Sequence, residues 1–308
     1  MPIPTTLKRL LRPALAPARA FVERSWRACF WASGRLARTA TRRWSSSGGQ
    51  RVLVVAPHPD DETAGCGGTL MAHVAAGDEV HALFVTDGRR SRALGLAPDE
   101  MAARRRDEAR GAVGALGLSG HTWLGLREGE WELAQGQPLL SGSLKAFRPD
   151  VVYAPSRFDF HPEHVRTAFA LGSVLADSLP ANARVRIYGI QVPLTAILVN
   201  LVCATGAPDA LAPALSAYET QAASLLASAR PHLHAAAYHG LDGLAEEFWE
   251  LSPAAYAALH EGDPPARPWL QFRGIHPQPW SDPLAYLVGR AARRAARRRV
   301  SAASIGGV

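Results

Sequence analysis

The stretch Val52-Leu53-Val54-Val55-Ala56-Pro57-His58-Pro59-Asp60-Asp61-Glu62 places one imidazole and three carboxylates directly after a run of apolar residues. A short apolar run followed by turn-forming residues is typical of a buried β-strand. In open α/β sheets, ligands bind beyond the carboxyl ends of the strands. Burying unpartnered charges costs roughly several kcal/mol or more. The stretch therefore predicts a binding site at the end of this strand.

Strand and helix signals alternate on both sides of this stretch. The predicted strands are Val52–Ala56, Glu79–Thr86, His121–Leu124, Asp150–Ala154 and Arg184–Ile190, and the predicted helices are Gly67–Ala76, Pro98–Leu116, Leu139–Phe147 and Pro162–Leu179. Strands that alternate with helices of this length indicate βαβ units. We predict an α/β fold with a doubly wound, mostly parallel, Rossmann-like sheet and helices on both faces.

Signals beyond residue 190 are weaker. The segment Thr195–Val202 is apolar but too short to span a bilayer, which favours a buried or interfacial segment. We expect one helix at Pro213–Ala229 and Pro-rich loops at 263–283.

The charge of the 308-residue chain is unevenly distributed. Of its 34 Lys and Arg residues, eleven lie in residues 1–51 beside a single acid, Glu23, and six lie in residues 290–299. Residues 52–289 therefore hold 17 basic and 26 acidic residues, although the whole chain carries a net charge of +7. An acidic body argues against nucleic acid as a partner, because a nucleic-acid-binding domain presents a basic face.

This distribution divides the chain into three parts. Residues 1–49 form a basic arm that ends in a flexible Ser/Gly linker, residues 50–289 form the folded domain, and residues 290–308 form a basic tail. In the arm, the Trp- and Arg-rich segment Phe21–Leu36 fits an amphipathic helix on an anionic membrane surface. A disordered arm and an organellar transit peptide remain alternatives.

The three cysteines, Cys29, Cys66 and Cys203, are widely spaced and odd in number, so they predict neither a disulfide framework nor a cysteine-based zinc site. A reducing compartment follows, and we expect a cytoplasmic protein with, as an option, peripheral contact at the inner face of an anionic membrane through its basic arm and basic tail. Cys66 is interpreted as a small apolar filler.

A second polar cluster, His161-Pro162-Glu163-His164, follows the strand Asp150–Ala154. Pro162 suits the first turn of a helix. Parallel strands would bring this cluster to the same sheet edge as His58 and Asp61. One histidine there is usually structural, but two beside a carboxylate indicate a catalytic metal site with three N/O ligands and an open position. An ion such as Zn²⁺ lowers the pKa of a bound water to about 7.

Taken in order, these motifs resemble the PIG-L/LmbE-like N-acetylglucosaminyl deacetylases. The resemblance covers roughly residues 50–180, and the matching stretches are Pro57–Glu62, Gly65–Leu70, Arg106–Ala109 with Leu116-Gly117, Arg148–Val152 and His161–Val165.

The resemblance implies a role for each polar residue of the two clusters. His58, Asp61 and His164 would bind Zn²⁺ or another divalent metal, and Asp60 would be the general base that activates the attacking water. His161 would stabilise the oxyanion or protonate the leaving amine. The implied substrate is an N-acetylglucosamine-type amino sugar or a glycoconjugate that carries one.

Three positions near the motifs leave alternatives open. Glu62 either forms a hydrogen bond to a metal-binding histidine or is a solvated acid at a helix start. Asp159 stands where the family often has a small or aromatic residue, so an oxyanion-assisting tyrosine would be missing, and Glu163 replaces a frequent Asp. The loop residue Trp131 either stacks on a sugar ring or packs locally.

The three arginines Arg89, Arg90 and Arg92 follow the second strand. They contact a phosphate or sugar hydroxyls, or they belong to a solvated loop.

Other functions fit parts of this pattern. The metal chemistry also suits an amidase that acts on another N-acyl group. A non-catalytic, membrane-associated binding protein is a third hypothesis, and the complete set of polar residues speaks against it. A dinucleotide site is disfavoured because Gly65-Cys66-Gly67-Gly68 lacks the G-x-G-x-x-G spacing.

Overall fold

The computed structural model of the chain describes residues 5–37, 41–190, 192, 194, 198–206, 208–266 and 290–305. The Pro-rich loops expected at 263–283 therefore lie outside the described residues from position 267 onward.

Eight strands of the described residues form one mixed sheet in the order β1-β7-β8-β6-β5-β2-β3-β4. Their bounds are β1 Arg42–Arg43, β2 Arg51–Ala56, β3 Glu79–Thr86, β4 Gly120–Leu126, β5 Val151–Pro155, β6 Arg184–Tyr188, β7 Leu201–Gly206 and β8 Leu244–Leu251. Every pairing is parallel except the two that β8 makes with β6 and β7. The predicted α/β, mostly parallel sheet is confirmed.

The helices of the described residues are α1 Thr5–Leu36, α2 Asp61–Ala75, α3 Pro98–Leu116, α4 Leu133–Phe147, α5 Pro162–Ser178, α6 Ala212–Ala217, α7 Ala222–His239, α8 Pro253–Leu259 and α9 Arg290–Ile305. Short 3₁₀ turns lie at Ala93–Gly95, Pro208–Leu211 and Glu219–Gln221.

The central strand β2 shows why helices cover both faces of the sheet. Successive side chains of a strand point to opposite faces. Leu53 and Val55 enter the core that packs under α4 and α5, while Val52 and Val54 enter the core that packs under α2 and α3. All four side chains are at most 1% exposed. A strand buried on both faces reads as a continuous apolar run, which is what the sequence shows.

Two helices begin earlier than predicted. The helix α2 starts at Asp61 rather than Gly67, with non-helical backbone at Cys66 that separates its two halves. The glycines around this kink allow close packing: a Cβ on Gly65 would lie 2.4 Å from the Tyr188 ring. The helix α4 starts at Leu133 rather than Leu139, and Pro138 lies inside it.

The chain after residue 190 differs most from the expectation. The predicted helix Pro213–Ala229 is two helices, α6 and α7. Of the predicted apolar segment Thr195–Val202, residues 195–197 lie outside the described residues and its last two residues belong to β7. The antiparallel strand β8 was not predicted, because buried Glu246 interrupts its apolar pattern. The Glu246 carboxylate accepts hydrogen bonds from the backbone N–H groups of Gly68 and Thr69 at 2.9 and 2.8 Å. It thereby caps the second half of α2.

The Ser/Gly stretch at residues 45–49 makes hydrogen bonds to the domain. The hydroxyl of Ser46 donates to Asp78 at 2.5 Å, and the same carboxylate accepts from the backbone of Gln50 at 2.8 Å. Just before it, β1 pairs with β7. These contacts fasten the stretch to the domain, while the division into arm, domain and tail stays a prediction.

The arm before this stretch is helical as α1. Among the helices described, none is long and apolar enough to cross a membrane.

A buried polar network joins this stretch to the centre of the sheet. The Nδ1 of His73 lies 2.5 Å from Asp78, and its Nε2 lies 3.0 Å from the Tyr153 hydroxyl. Arg186 donates to the same hydroxyl at 2.7 Å. Burial lowers the pKa of His73 to about 4. Burial opposes the ionisation of Asp78, but hydrogen bonds from Ser46 and His73 outweigh it and lower the pKa of that carboxyl.

We predict that the metal-free protein loses stability as pH falls from about 6.5 toward 4. The unfolded chain protonates His73 near pH 6.5, whereas the folded chain does so only near pH 4, so the unfolded state binds more protons in this window. Thermal melts with a chelator at several pH values measure the loss. His73→Gln should show a shallower fall of Tm with pH, and parallel curves for the two proteins would contradict this interpretation.

Candidate metal and active site

The turn between β2 and α2 presents two adjacent carboxylates in different directions. Asp60 is the N-cap of α2 with φ 127°, a strained conformation for a residue with a side chain. The Asp61 carboxylate accepts from the backbone N–H of His58 at 2.8 Å, which closes the turn. The Asp60 carboxylate instead lies 2.9 Å from the Arg105 guanidinium.

The end of β5 supplies the second half of the site, because β2 and β5 are neighbours in the sheet. His161 is the N-cap of α5 and Pro162 occupies its first turn. The Nδ1 of His161 accepts from the Glu163 N–H at 3.3 Å. His164, one turn later, is 3% exposed and faces Asp61.

The Asp61 carboxylate joins the two halves. Its Oδ2 lies 3.2 Å from His58 Nδ1 and 3.2 Å from His164 Nε2. A tetrahedral zinc ion with ligands at about 2.0–2.1 Å holds its ligand atoms roughly 3.3 Å apart. The donor set of His58, Asp61 and His164 therefore fits a zinc-sized divalent cation in both chemistry and spacing.

Three imidazoles are a competing ligand set. His58, His161 and His164 each offer a nitrogen, and these atoms lie within 4.8 Å of one another. However, the hydrogen bond from Glu163 to His161 Nδ1 requires the proton of a neutral His161 to sit on Nε2, where it blocks coordination. The shorter separations to Asp61 also favour the set that contains the carboxylate.

Each of the two histidines beside Asp61 has a carboxylate at its other nitrogen. Asp159 Oδ2 lies 2.8 Å from His164 Nδ1, and Glu128 Oε1 lies 3.5 Å from His58 Nε2. Metal-binding histidines commonly have such partners, which fix the ring orientation and the tautomer. This arrangement gives Asp159 a positioning contact at the place where the sequence suggested a missing tyrosine.

The electrostatics of the metal-free site favour positive charge between these groups. Burial lowers the pKa of His58, but Asp61 and Glu128 outweigh it and raise the pKa to about 9. Burial also lowers the pKa of His164, but Asp61 and Asp159 hold it well above its usual range. Burial opposes the ionisation of Asp61, yet His164 keeps its pKa well below the usual range. Such a site attracts a cation.

The two residues expected to handle protons have different environments. Burial raises the pKa of Asp60 to about 7, against the attraction of Arg105. Burial lowers the pKa of His161 to about 2, and the neighbouring His58 and His164 add to this shift. In the metal-free chain His161 is therefore a neutral imidazole at neutral pH.

Glu62 fits neither interpretation given to it, because it is fully buried and touches no ligand histidine in the described contacts. Its carboxylate accepts from the hydroxyls of Tyr218 and Thr63, each at 2.6 Å, and from the Asp60 N–H at 3.1 Å. The last of these hydrogen bonds holds the strained backbone of Asp60 in place.

The sugar-stacking hypothesis for Trp131 is wrong. This side chain is 2% exposed, and its Nε1 donates to Glu163 Oε2 at 2.5 Å. A Cβ on Gly136 would lie 2.4 Å from its ring, so α4 packs directly on the indole. The local-packing alternative is the one the structure shows.

A cavity of about 290 Å³ opens above the site. Its walls include the polar residues already described and, in addition, Arg90, Ser91, Ile190, Gln221 and Leu225. An adjoining groove of about 870 Å³ shares Arg90, Ser91 and Glu128 with it.

Of the three arginines singled out in the sequence, Arg90 lines both the cavity and the groove, and Arg92 lines the groove alone. Arg89 also borders the groove, but it is bound to Asp87 at 2.8 Å and Asp99 at 3.0 Å.

Sequence reasoning missed Arg105, Glu128 and Tyr218. Arg105 carried a signal: it lies four residues after Met101 and four before Ala109, so it occupies the buried face of α3. Glu128 and Tyr218 lie in irregular segments, where spacing carries no information about contacts.

Comparison with known proteins shows what this site is similar to. The PIG-L family model, described as GlcNAc-PI de-N-acetylase, matches residues 53–175. Over this segment the chain is similar to the PIG-L family. A 1D-myo-inositol 2-acetamido-2-deoxy-alpha-D-glucopyranoside deacetylase of Mycobacterium sp. (strain KMS) is 31% identical over 146 residues, which are 38% of this chain and 47% of the relative. The chain thus spans about half the length of such relatives.

Solved structures of PIG-L-like fold include enzymes of different activity. The N,N'-diacetylchitobiose deacetylase of Pyrococcus horikoshii has 22% identity and a TM-score of 0.58, covering 67% of this chain and 85% of that one. The 4-carboxy-2-hydroxymuconate hydratase GalB of Pseudomonas putida KT2440 has 16% identity and a TM-score of 0.55, covering 65% and 95%. At these identities the likeness shows the fold alone.

We predict that the purified protein binds about one zinc per chain and that Asp61→Ala and His164→Ala each abolish this binding. Removing one of three ligands leaves too few donors for a stable site. Metal analysis after dialysis, with Asp107→Ala on the exposed side of α3 as the control, measures it. Full zinc content in both ligand variants would contradict the assignment.

Proposed function

We propose that this protein is a metal-dependent hydrolase that removes the acetyl group from an N-acetylglucosamine-type amino sugar or glycoconjugate. The observation that carries the proposal is the position of Asp61 Oδ2 between His58 and His164. The neighbouring Asp60 carboxylate does not share these partners and pairs with Arg105 instead. The similarity of residues 53–175 to the PIG-L family supports the same reaction class.

His58, Asp61 and His164 would hold the metal. A divalent ion there supplies Lewis acidity, which makes water nucleophilic near neutral pH and polarises an amide carbonyl.

Asp60 has the properties of a general base for this hydrolysis. Its pKa of about 7 in the metal-free chain suits proton transfer near neutral pH. Arg105 contacts the carboxylate at 2.9 Å and also donates to the Pro59 carbonyl, so it fixes the side chain and its backbone together. A base held in place in this way takes a proton from water without rearrangement of the loop.

His161 would act on the other side of the scissile bond. Because its Nδ1 accepts the Glu163 N–H, its Nε2 carries the proton and can donate. A neutral imidazole donor in the cavity wall stabilises the oxyanion that forms when water adds to the carbonyl. Transfer of this proton to the amine would leave an imidazolate, so His161 acts as a hydrogen-bond donor, and the proton that Asp60 takes from the water passes to the departing amine.

The size and lining of the cavity support a sugar as the substrate. Its volume of about 290 Å³ is at the small end of ligand sites, which span ~300–1,000 Å³. Carboxylate, guanidinium, hydroxyl and amide groups in its walls are suitable partners for ring hydroxyls. The adjoining groove would receive the group to which the sugar is attached.

Acetate release from a panel of substrates tests the proposal. The panel contains free, nucleotide-linked, thiol-linked and lipid-linked N-acetylglucosamine, together with N-acetyl amino acids. Turnover of an amino-sugar conjugate supports the proposal. Turnover of the amino acids alone would favour an amidase, and no acetate release from zinc-loaded protein with any of them would favour a binding protein.

We predict that Asp60→Asn keeps its zinc and loses turnover by about 10²- to 10⁴-fold, the usual contribution of a general base. The substitution retains the shape of the side chain and removes its basicity. Asp107→Asn, an exposed change on α3, should match the unchanged protein in both zinc content and turnover. Normal acetate release from the Asp60 variant would exclude it as the base.

We predict that Arg90→Ala raises KM for the best conjugate of the panel by about tenfold, with a small effect on kcat. Within the described residues the Arg90 side chain makes no ion pair, and it lies where the cavity meets the groove. A contact made equally in the bound substrate and the transition state affects KM alone. Steady-state kinetics with Arg110→Ala as the control would contradict this role if the two variants had the same KM.

A further inference from the structure

The helix α1 contacts α7 through the face that carries Glu23, Phe30 and Gly34. The Phe30 ring stacks on His234 of α7 at a centroid distance of 4.8 Å. One turn later, a Cβ on Gly34 would lie 1.7 Å from the Tyr238 carbonyl oxygen, so the two backbones are in close contact. Glu23, two turns before Phe30, approaches His234 at 3.8 Å. Residues at this spacing lie on the same face of a helix.

The opposite face of α1 is apolar and exposed. Of the six large apolar side chains that the described part of the chain exposes, four lie on this helix: Phe21, Val22, Trp31 and Leu36, which are 72%, 50%, 50% and 84% exposed. We name this set, with the exposed Arg24 and Arg35 and with Arg27 at its edge toward α7, the outer face of α1. A concentration of exposed apolar groups of this kind marks an interaction surface.

The aromatic residues of this helix have different surroundings. Phe30 packs on α7, whereas Trp31 is exposed. The Arg35 guanidinium lies 5.3 Å from the Trp31 ring centre, so cationic and aromatic groups adjoin on the outer face.

The charge of the outer face indicates what kind of partner it binds. Glu23 is the single acid of residues 1–51, and its carboxylate lies on the side of α1 that contacts α7, 3.8 Å from His234. The outer face therefore carries positive charge alone, and a second copy of it would be repelled. Interfacial helices of peripheral proteins combine Arg or Lys with Trp, Phe and Leu in this way.

We propose that the outer face of α1 binds the surface of an anionic phospholipid bilayer. The apolar side chains enter the boundary between headgroups and acyl chains, and the three arginines contact lipid phosphates. The inference is independent of the hydrolase activity. The acidic body of the chain, residues 52–289, gives no such attraction, so α1 orients the domain on the membrane.

Cys29 offers a specific probe of this surface. It is exposed on α1, whereas Cys66 and Cys203 are buried. Burial raises the pKa of the Cys66 thiol well above its usual range and raises that of Cys203 to about 12. A thiol-reactive, polarity-sensitive fluorophore should therefore label Cys29 alone in the folded protein.

The test uses the full chain with phosphatidylcholine vesicles that contain 30% phosphatidylglycerol, or none. We expect co-sedimentation and a blue shift of the Cys29 label with anionic vesicles, both weakened by salt. The variant Arg24→Glu/Arg27→Glu/Arg35→Glu should bind at least 100-fold more weakly. The matched control, Arg294→Glu/Arg297→Glu/Arg298→Glu on α9, should bind within about threefold of the unchanged protein.

Four outcomes would overturn the proposal. The first three are no vesicle binding, equal binding to neutral vesicles, and loss of binding in the α9 variant instead of the α1 variant. The fourth is a concentration-dependent dimer that the Phe21→Ser/Leu36→Ser variant converts to a monomer, with vesicle binding unchanged. Light scattering of unlabelled protein distinguishes the last case. Circular dichroism confirms that the surface variants fold.

Discussion

The site depends on the contacts of the Asp61 carboxylate. Its Oδ2 lies 3.2 Å from the imidazole of His58, in the loop after β2, and 3.2 Å from the imidazole of His164 on α5. These loops meet because β2 and β5 are hydrogen-bonded neighbours and both run toward the same sheet edge. An ionised carboxylate at a buried edge requires positive charge close by. Much of the surrounding structure serves to hold that carboxylate and its two imidazole partners in place.

Each buried acid around this contact has its own partners, drawn from distant parts of the chain. Glu62 is held by Tyr218 from beyond the sheet, and Asp60 by Arg105 of α3. Asp159 binds His164 and also accepts from the backbone of Ile190 and Val192. Satisfied networks of this kind are rigid, whereas half-satisfied ones are costly. The segments after residue 180 are therefore part of the site, although they lie outside the stretch that resembles the family.

Sequence alone predicts the features that depend on local pattern. The apolar strand before Asp60, the proline at the start of α5 and the alternation of strands and helices define the sheet and the edge where the two clusters meet. It fails where tertiary contacts override the pattern. Buried Glu246 interrupts the apolar pattern of β8, and the glycines around Cys66 obscure the first half of α2 in the sequence. Trp131 lies in a loop that the sequence suggests is exposed, but Glu163 and α4 bury it.

The identity of the ligand set is the central claim, and X-ray absorption spectroscopy of the zinc-loaded protein tests it most directly. The number of imidazoles around the ion follows from the multiple-scattering signal of the ring carbons. The account predicts two imidazoles with carboxylate oxygen, and a spectrum that His161→Gln leaves unchanged. A shell of three imidazoles that loses one in the His161 variant would contradict it.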